Sequence, residues 1–147
     1  MAEPSCIIAP CEIEDLASLV RIDREVTGHE KRQYWKHLFR FLSDENICCL
    51  VVRVEGETVG YIIGEIRAWE FGQEPCGWVF SLAILPQHAR AGLGRQLLMA
   101  LADWFHSRGM LKMRTMVNLE QEVMHRFFRS SGFTSGPTLQ LEMEIAP

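Results

Sequence analysis

A turn of small and basic residues between a predicted strand and a predicted helix carries the clearest chemical signal in this sequence. The first N–H groups of a helix have no partner inside it and lie at the positive end of its dipole, so they bind phosphate oxygens. Gly92 and Gly94 lack a Cβ and let a pyrophosphate approach the main chain, while Arg90 and Arg95 can add charge-assisted hydrogen bonds. The stretch predicts a phosphate-binding turn and reads Ser81-Leu82-Ala83-Ile84-Leu85-Pro86-Gln87-His88-Ala89-Arg90-Ala91-Gly92-Leu93-Gly94-Arg95-Gln96-Leu97-Leu98.

Two other phosphate motifs do not fit this turn. A Walker A loop requires Gly-Lys-Ser or Gly-Lys-Thr, and the sequence has neither. A dinucleotide fingerprint requires a third glycine where Leu97 stands and an acidic residue about 20 positions later, where Lys112 stands. A glycine turn that serves only helix packing is the structural alternative.

Hydrophobic periodicity predicts the elements that must position the turn. The first half of the chain contains two helices with apolar faces and a hairpin whose turn holds Gly56, a residue that can take positive φ. In chain order we predict a strand at Ser5 to Ile8, helices at Glu12 to Val26 and Glu30 to Leu42, and strands at Ile47 to Val54 and Thr58 to Ile66.

The second half of the chain alternates strands with helices. Pro86 ends a nearly unbroken apolar run, and Gly109 and Gly132 stop the two helices. The order β-α-α-β-β-β-α-β-α-β describes a mixed sheet with helices packed on it, which is an α/β (α+β) fold. We predict strands at Trp78 to Leu85, Lys112 to Asn118 and Leu139 to Ile145, and helices at Leu93 to Arg108 and Glu120 to Ser131.

Length and composition bound the class of protein. A chain of 147 residues with 48% hydrophobic content fits a single domain over residues 1–147. A net charge of −4 argues against a nucleic-acid partner, because phosphate binding needs clustered Lys and Arg. No apolar run approaches the roughly 20 residues that span a bilayer, and Met1-Ala2-Glu3-Pro4-Ser5 lacks the features of a signal peptide. We expect a cytoplasmic protein that binds neither nucleic acid nor membrane.

Metal and hydrolase motifs are also missing. The sequence has five cysteines but no C-x-x-C pair, so it predicts no zinc knuckle and no disulfide framework. His29-Glu30 opens like a zinc protease motif, yet Gln33 stands where the second histidine belongs. There is no Gly-x-Ser-x-Gly elbow. We therefore predict no metal site and no serine hydrolase.

Nearly the whole chain, and most strongly Trp78 to Phe133, resembles the GNAT superfamily of acyl-CoA N-acyltransferases, in particular the ribosomal-protein alanine acetyltransferase branch and uncharacterised bacterial relatives. The family places Gln/Arg-x-x-Gly-x-Gly/Ala after a strand of the type Leu-Ala-Ile-x-Pro, and this chain has Leu82-Ala83-Ile84-Leu85-Pro86 followed by Gly92-Leu93-Gly94. A second family region closes with Gly-Phe, as Gly132-Phe133 does here. The resemblance implies a mostly antiparallel central sheet with helices on both faces and acetyl-CoA as cosubstrate.

The resemblance also implies where acetyl-CoA binds. The main chain of the strand hydrogen-bonds the pantetheine arm like an added strand, and the amides of the turn hold the pyrophosphate. Gln121 stands where an asparagine often contacts the cofactor. The implied cofactor-binding residues are Leu82, Ala83, Ile84, Arg90, Ala91, Gly92, Leu93, Gly94, Arg95 and Gln121.

Three positions depart from the family pattern. Ala89 replaces the Gln/Arg of the signature, a position that contributes largely through its main chain. Phe128 stands where many members have the tyrosine that protonates the departing CoA thiolate. Met116 stands where the alanine acetyltransferases place a glutamate base. The residues that move protons therefore cannot be carried over directly.

Asn118 and Glu120, at the end of the strand that holds Met116, are our candidates for catalysis. For Glu120 the more ordinary reading is the structural one, because an acid in the first turn of a helix complements its dipole. Glu65 and Glu74, in or beside the hairpin and the loop that follows it, remain other possibilities for the base.

The features together predict an acetyl-CoA-dependent N-acetyltransferase acting by direct attack of a primary amine, on a peptide N-terminus or a small molecule. A thiol with a pKa near 8.5 is a fair leaving group, so a missing acid slows this reaction more than it abolishes it. The alternative is a CoA-binding sensor or interaction module with weak catalysis. The expected partner is the amine acceptor, and a homodimer is left open.

Overall fold

The computed structural model describes residues 5–146; Met1 to Pro4, part of the stretch inspected for a signal peptide, and Pro147 lie outside the described residues. The chain divides into two compact units: the first ends at Met116 and the second begins at Val117. No helix among the described residues is both long and apolar enough to cross a membrane. In chain order the elements are β1 (Cys6–Pro10), α1 (Leu16–Thr27), α2 (Arg32–Phe39), β2 (Ile47–Val54), β3 (Glu57–Arg67), β4 (Cys76–Ile84), α3 (Leu93–Ser107), β5 (Met113–Thr115) and α4 (Glu122–Ser130).

The first unit is built on one sheet with strand order β1-β2-β3-β4-β5. All neighbours are antiparallel except β4 and β5, which run parallel. The β2–β3 hairpin turns at Glu55 and Gly56, both with positive φ of 52° and 80°, as the tight turn of a right-twisted hairpin requires. The predicted mostly antiparallel sheet is confirmed.

Helices cover both faces of this sheet. Tyr61 of β3 meets Trp35 of α2 edge to face at 5.2 Å. Gly64, three residues further along the same strand, lies against Leu101 and Phe105 of α3. Because successive side chains of a strand alternate between faces, residues an odd number apart point in opposite directions. The α1–α2 layer and α3 therefore pack on opposite sides, as the sequence predicted.

The α1–α2 layer is held to the sheet through a buried aspartate. Asp23 accepts a hydrogen bond of 2.9 Å from the indole Nε1 of Trp35, and Lys31 Nζ lies 3.3 Å from its other oxygen. These partners compensate the cost of burying a carboxylate. The same hydrogen bond orients Trp35, whose ring packs edge to face against Tyr61.

Helix α3 approaches the sheet closely because β4 and β3 carry glycine beneath it. A Cβ at Gly77 would overlap the ring of Phe105, and one at Gly64 would crowd the same ring. Phe105 and Leu101 are buried at 2% and 0% exposure, so neither side chain has room to move aside. The short distance between α3 and the sheet therefore depends on the absence of side chains at Gly64 and Gly77.

Gly77→Ala is expected to destabilise the fold by about 2 kcal/mol, since overpacking a filled core typically costs 1–3 kcal/mol. For a domain of this size the melting temperature should fall by roughly 5 °C. Thermal unfolding followed by circular dichroism measures the change. Gly136→Ala is the matched control, because a Cβ there meets nothing within 4 Å and φ is not positive. An unchanged melting temperature for Gly77→Ala would contradict the close approach.

The second unit contains α4 and differs from expectation after it. Residues 139–145 form no strand, which corrects the strand predicted from Leu139 to Ile145. Strict alternation of apolar and polar residues fixes which side chains share a face, but a strand also needs a neighbouring backbone to pair with. Several elements are shorter than predicted, and the difference is largest for α2, which spans Arg32–Phe39, and for β5, which spans only Met113–Thr115.

Candidate functional site

Strand β4 loses one of its two neighbours half-way along its length. On one side it pairs with β3 from Cys76 to Ile84. On the other side it pairs with β5 only from Gly77 to Val79, and within residues 5–146 no strand continues that side. We call residues 80–84 of β4 the open edge. A single strand of the central sheet thus presents a free side to a ligand.

A bulge at Phe80 separates the paired and the free stretch of β4. Ile63 lies opposite Ser81 whereas Gly64 lies opposite Val79, so Phe80 is the extra residue. A bulge of this kind turns the strand and changes which residues direct their main-chain groups to a given side. β5 occupies one side of β4 up to Val79. After Phe80, a different set of residues directs its main-chain groups to that side.

Main-chain hydrogen bonds show which residues face the free side. Before the bulge, the Gly77 amide donates to Lys112 O at 3.0 Å, so odd-numbered residues face β5. After it, the Leu85 amide donates to Val59 O at 2.8 Å, so odd-numbered residues face β3. By alternation, Leu82 and Ile84 direct their N–H and C=O groups to the open edge. Such groups can pair with an extended chain of amides.

Ala83 is the exception among the strand residues predicted to bind the cofactor. It lies opposite Tyr61 in the β3–β4 ladder and its side chain is buried. The same alternation directs its main-chain groups to β3 and away from the open edge. The main-chain contacts available to a ligand therefore come from Leu82 and Ile84, and Ala83 acts only as the spacer between them.

The turn after β4 leads directly into α3. A short 3₁₀ helix at Pro86–His88 is followed by Arg90 with a φ of 65° and Gly92 with a φ of 79°. A left-handed conformation at a residue with a side chain costs energy, and such strain is concentrated at functional sites. Gly92 is the N-cap of α3, and no side chain caps the helix there.

The N-terminus of α3 faces open space. A Cβ built on Gly92 meets nothing within 4 Å, and Ala91 and Arg95 beside it are exposed. The first turn of a 15-residue helix has N–H groups without partners inside the helix, at the positive end of its dipole. We call residues 90–95 the amide turn. With two arginines in the same stretch, it can hold a phosphate or diphosphate.

The amide turn is fixed from below by the core. Leu93 and Leu97, on the inner side of the first turns of α3, are buried, while the residues on the outer side are exposed. Helix α3 rests on the glycines of β3 and β4 described above. The open edge and the amide turn are consecutive in the chain and belong to the same compact unit, so the same strand–turn–helix segment positions both.

The acetyltransferase (GNAT) family model matches residues 13–133. The chain belongs to this family. Its members transfer acetyl groups, so this chain is an acetyltransferase, as the sequence predicted. A search of curated protein sequences found no match.

Solved acetyltransferases share the fold of this GNAT chain over almost its full length. Aminoglycoside N-acetyltransferase AAC(6')-Iy in complex with CoA superposes with a TM-score of 0.86 at 14% identity, covering 99% of this chain and 98% of that one. AAC(6')-Ih from Acinetobacter baumannii gives 0.82 at 13% identity, with 97% and 100% covered. The ribosomal-protein-alanine N-acetyltransferase from Brucella melitensis biovar Abortus 2308 gives 0.77 at 18% identity, with 97% and 100% covered. The predicted GNAT fold is confirmed.

The predicted catalytic residues of this acetyltransferase lie in the second unit. Asn118 Oδ1 accepts a hydrogen bond of 2.9 Å from the Glu120 amide, and Asn118 O lies 3.0 Å from His125 Nε2. Asn118 thus shapes the turn that begins α4. The side chains of Glu120 and of Gln121, the N-cap residue of α4, are exposed. Asn118 and Glu120 stay predictions as catalytic groups, and Gln121 stays one as a cofactor ligand.

Phe128 belongs to an aromatic cluster of the second unit. Its ring lies 5.1 Å from the rings of both Phe127 and Phe133, in edge-to-face contacts. Phe128 is 5% exposed, whereas Met116, the other residue that departs from the family pattern, is 67% exposed. In this chain the residue at position 128 therefore packs within the aromatic cluster. A tyrosine at this position would also bury a hydroxyl group, which needs a hydrogen-bond partner.

A hydroxyl pair beside the open edge was not found from the sequence. Ser81, the first residue after the bulge, donates a hydrogen bond of 3.3 Å from Oγ to the hydroxyl of Tyr61. Tyr61 is 1% exposed, and burial raises its pKa, so it stays protonated at neutral pH. The feature of the sequence that could have indicated this pair is Ser81, a polar residue inside the apolar run Trp78 to Leu85.

Among residues 5–146 no group of three or more His, Cys, Asp or Glu side chains is placed to hold a metal ion. Glu65, one of the alternative candidates for the base, accepts a hydrogen bond of 2.8 Å at Oε1 from Arg67 Nε. All five cysteines are free thiols.

Proposed function

We propose that this GNAT chain transfers an acetyl group from acetyl-CoA to a primary amine by direct attack, with a peptide N-terminus or a small molecule as acceptor. The observation that carries the proposal is the open edge running into the amide turn. Acetyl-CoA has an extended arm with two amide groups attached to a diphosphate. The open edge can pair with the amide groups of the arm, and the amide turn can bind the diphosphate. The two features follow each other along the chain in the same order as the two parts of acetyl-CoA.

The cofactor-binding roles follow from this match. The main chain of Leu82 and Ile84 pairs with the pantetheine amides, while Ala83 keeps the spacing between them. The amides of Arg90, Ala91, Gly92, Leu93, Gly94 and Arg95 hold the diphosphate, and the two guanidinium groups neutralise its charge. Gln121 is proposed as a further cofactor ligand, as the family resemblance implies. The family model covers parts of both units, which supports one acyltransferase domain over residues 1–147.

The chemical step needs three proton transfers. The acceptor ammonium first loses a proton to a base, and the free amine nitrogen forms a bond to the thioester carbonyl carbon. As the carbon–sulfur bond then breaks, the nitrogen loses a second proton and the departing thiolate takes one up. We assign Glu120 as the candidate base and Asn118 as the residue that orients it, through the hydrogen bond between its Oδ1 and the Glu120 amide. Phe128 carries no proton to give, so solvent or a neighbouring hydroxyl supplies the acid.

A panel of amines and peptides incubated with acetyl-CoA, with release of free CoA thiol as the readout, tests the function. Turnover on any primary amine, with the N-acetylated product identified by mass spectrometry, supports the proposal. Tight CoA binding without turnover on any acceptor would favour the alternative, a CoA-binding sensor. Neither binding nor turnover would overturn both.

Phe128→Tyr is expected to raise kcat several-fold, because a phenol with a pKa near 10 could protonate the departing thiolate. The buried position should cost some stability, since the new hydroxyl needs a hydrogen-bond partner. Steady-state kinetics on the best acceptor measures the gain. Phe127→Tyr, in the same aromatic cluster but half-exposed, is the control. No gain from Phe128→Tyr would mean that the proton comes from another source.

A further inference from the structure

The hydroxyl pair of Ser81 and Tyr61 lies where the open edge begins. Ser81 is opposite Ile63 in the β3–β4 ladder, and Tyr61 lies two residues from Ile63 on the same strand. Opposed residues, and residues two apart, share a face of a sheet, so both hydroxyls lie on the face where Trp35 packs. Ser81 is half-buried and Tyr61 is buried, so Ser81 is the member of the pair that a ligand can reach.

The hydrogen of Ser81 can turn to a ligand because the hydrogen bond of the pair can reverse. Each hydroxyl both donates and accepts, and its hydrogen rotates about the C–O bond. When Tyr61 donates to Ser81 Oγ, the hydrogen of Ser81 is released. Burial raises the pKa of Tyr61, an effect that outweighs the hydrogen bond with Ser81, and the charge of Asp23 adds to it. Tyr61 therefore keeps its proton and remains a donor.

A second hydroxyl near the same point is already engaged. Thr115 lies opposite Val79 at the last pair of the β4–β5 ladder, just before the open edge. Its Oγ1 donates a hydrogen bond of 2.9 Å to Val79 O. The hydrogen of Thr115 is therefore used within the sheet, whereas that of Ser81 can serve a bound molecule.

The order of groups in CoA predicts that its sulfur lies level with Ser81. In the proposed binding mode the diphosphate lies at the amide turn, and the pantetheine arm runs back along β4, with its amides beside Ile84 and then Leu82. Three covalent bonds join the last amide nitrogen to the sulfur. One residue of a strand also contributes three main-chain bonds and rises about 3.3 Å. The sulfur therefore falls about one residue beyond Leu82.

We propose that Ser81 is a catalytic residue that donates a hydrogen bond to the sulfur of CoA as the carbon–sulfur bond breaks, and that Tyr61 positions it by donating to Ser81 Oγ. This inference rests on the function proposed above. The electron pair of the broken bond stays on sulfur, Ser81 keeps its proton, and solvent protonates the thiolate afterwards. A hydrogen bond suffices because a thiol with a pKa near 8.5 is a fair leaving group. It compensates in part for the hydroxyl that Phe128 lacks.

The pKa of the CoA thiol bound to the full chain tests this hydrogen bond without any acceptor. The ultraviolet absorbance of the thiolate is followed against pH, with the complex of S-methyl-CoA, which has no thiol, as the baseline. We expect Ser81→Ala to raise the pKa of the bound thiol by about one unit, because the thiolate loses a hydrogen bond that stabilises its charge. Ser107→Ala, which removes an exposed hydroxyl at the end of α3, is the control and should leave that pKa unchanged.

Tyr61→Phe distinguishes positioning from packing, because it keeps the ring against Trp35 and removes only the hydroxyl. We expect it to raise the pKa of the bound thiol by less than Ser81→Ala does. Combined with Ser81→Ala it should add nothing, since Tyr61 acts through Ser81. In turnover, Ser81→Ala should lower kcat about tenfold and keep the KM for acetyl-CoA within about twofold, as expected for a contact made in the transition state.

The titration separates failure of this inference from failure of the proposed function. If CoA does not bind, both are wrong. If CoA binds and its thiol has the same pKa in the parent and in Ser81→Ala, Ser81 does not contact the sulfur, and the proposed function still stands. A Tyr61→Phe change that shifts the thiol pKa equally with and without the Ser81 hydroxyl would overturn the positioning role of Tyr61.

Discussion

Gly92→Val is expected to weaken acetyl-CoA binding by about 100-fold, equivalent to about 2.7 kcal/mol. Gly92 has a φ of 79°, a conformation that a β-branched residue rarely adopts, and the space in front of it is open. Valine would both strain the amide turn and fill the position proposed for the diphosphate. Loss of two or three charge-assisted hydrogen bonds accounts for an effect of this size. Isothermal titration calorimetry with acetyl-CoA measures it.

Gly109→Val separates the strain from the site. Gly109 follows the C-terminal end of α3, with a φ of 83° and no atom within 4 Å of a Cβ, so valine costs a similar conformational strain at the opposite end of the same helix. We expect a comparable fall in melting temperature for both variants and a fall in acetyl-CoA affinity for Gly92→Val alone. Equal affinities would show that the amide turn does not hold the diphosphate.

Leu82→Pro is expected to lower acetyl-CoA affinity at least about tenfold. Proline removes the N–H that Leu82 directs to the open edge, and its ring occupies part of the space that an added strand would use. The β3–β4 ladder does not use that N–H, because the residues on either side of Leu82 face β3. The melting temperature should therefore change little, and differential scanning fluorimetry checks this alongside the binding titration.

Leu82→Ala is the control for the loss of the leucine side chain, because it keeps the N–H and should bind acetyl-CoA within about twofold of the parent. Ala83→Pro is the converse case. It removes a ladder hydrogen bond to β3 and should destabilise the fold. Should Ala83→Pro be stable and bind poorly while Leu82→Pro binds normally, the assignment of main-chain directions after the bulge is wrong.

Fragments of the cosubstrate distinguish the two halves of the site. ADP carries a diphosphate without the pantetheine arm, and S-acetylpantetheine carries the arm without a diphosphate. We expect Gly92→Val to weaken ADP binding and leave S-acetylpantetheine unaffected, and Leu82→Pro to do the reverse. If both variants weakened both fragments equally, the cause would be a general loss of structure and not two local contacts.

Much of the first unit could be predicted from the sequence, because its signals are local. The amide turn depends on glycines next to a buried helix, the hairpin on Gly56 between two apolar runs, and the stop of α1 on Gly28, which adopts the left-handed conformation. The polar pattern of α3 also follows from residues within a few turns. Each of these features is decided by neighbours in the chain, so no knowledge of the rest of the fold was needed.

The tertiary structure decided what depends on pairing between distant residues. The bulge at Phe80, which directs Leu82 and Ile84 to the open edge, follows from the register of β4 against β3, and no local pattern specifies that register. The contact of Ser81 with Tyr61 has the same origin. The alternation of residues 139–145 predicted a strand. Alternation determines only which side chains share a face, however, and a strand also needs a neighbouring backbone to pair with. Sequence alone thus determined the turn that can hold phosphate, and the long-range pairing of strands decided which main-chain groups are free beside it.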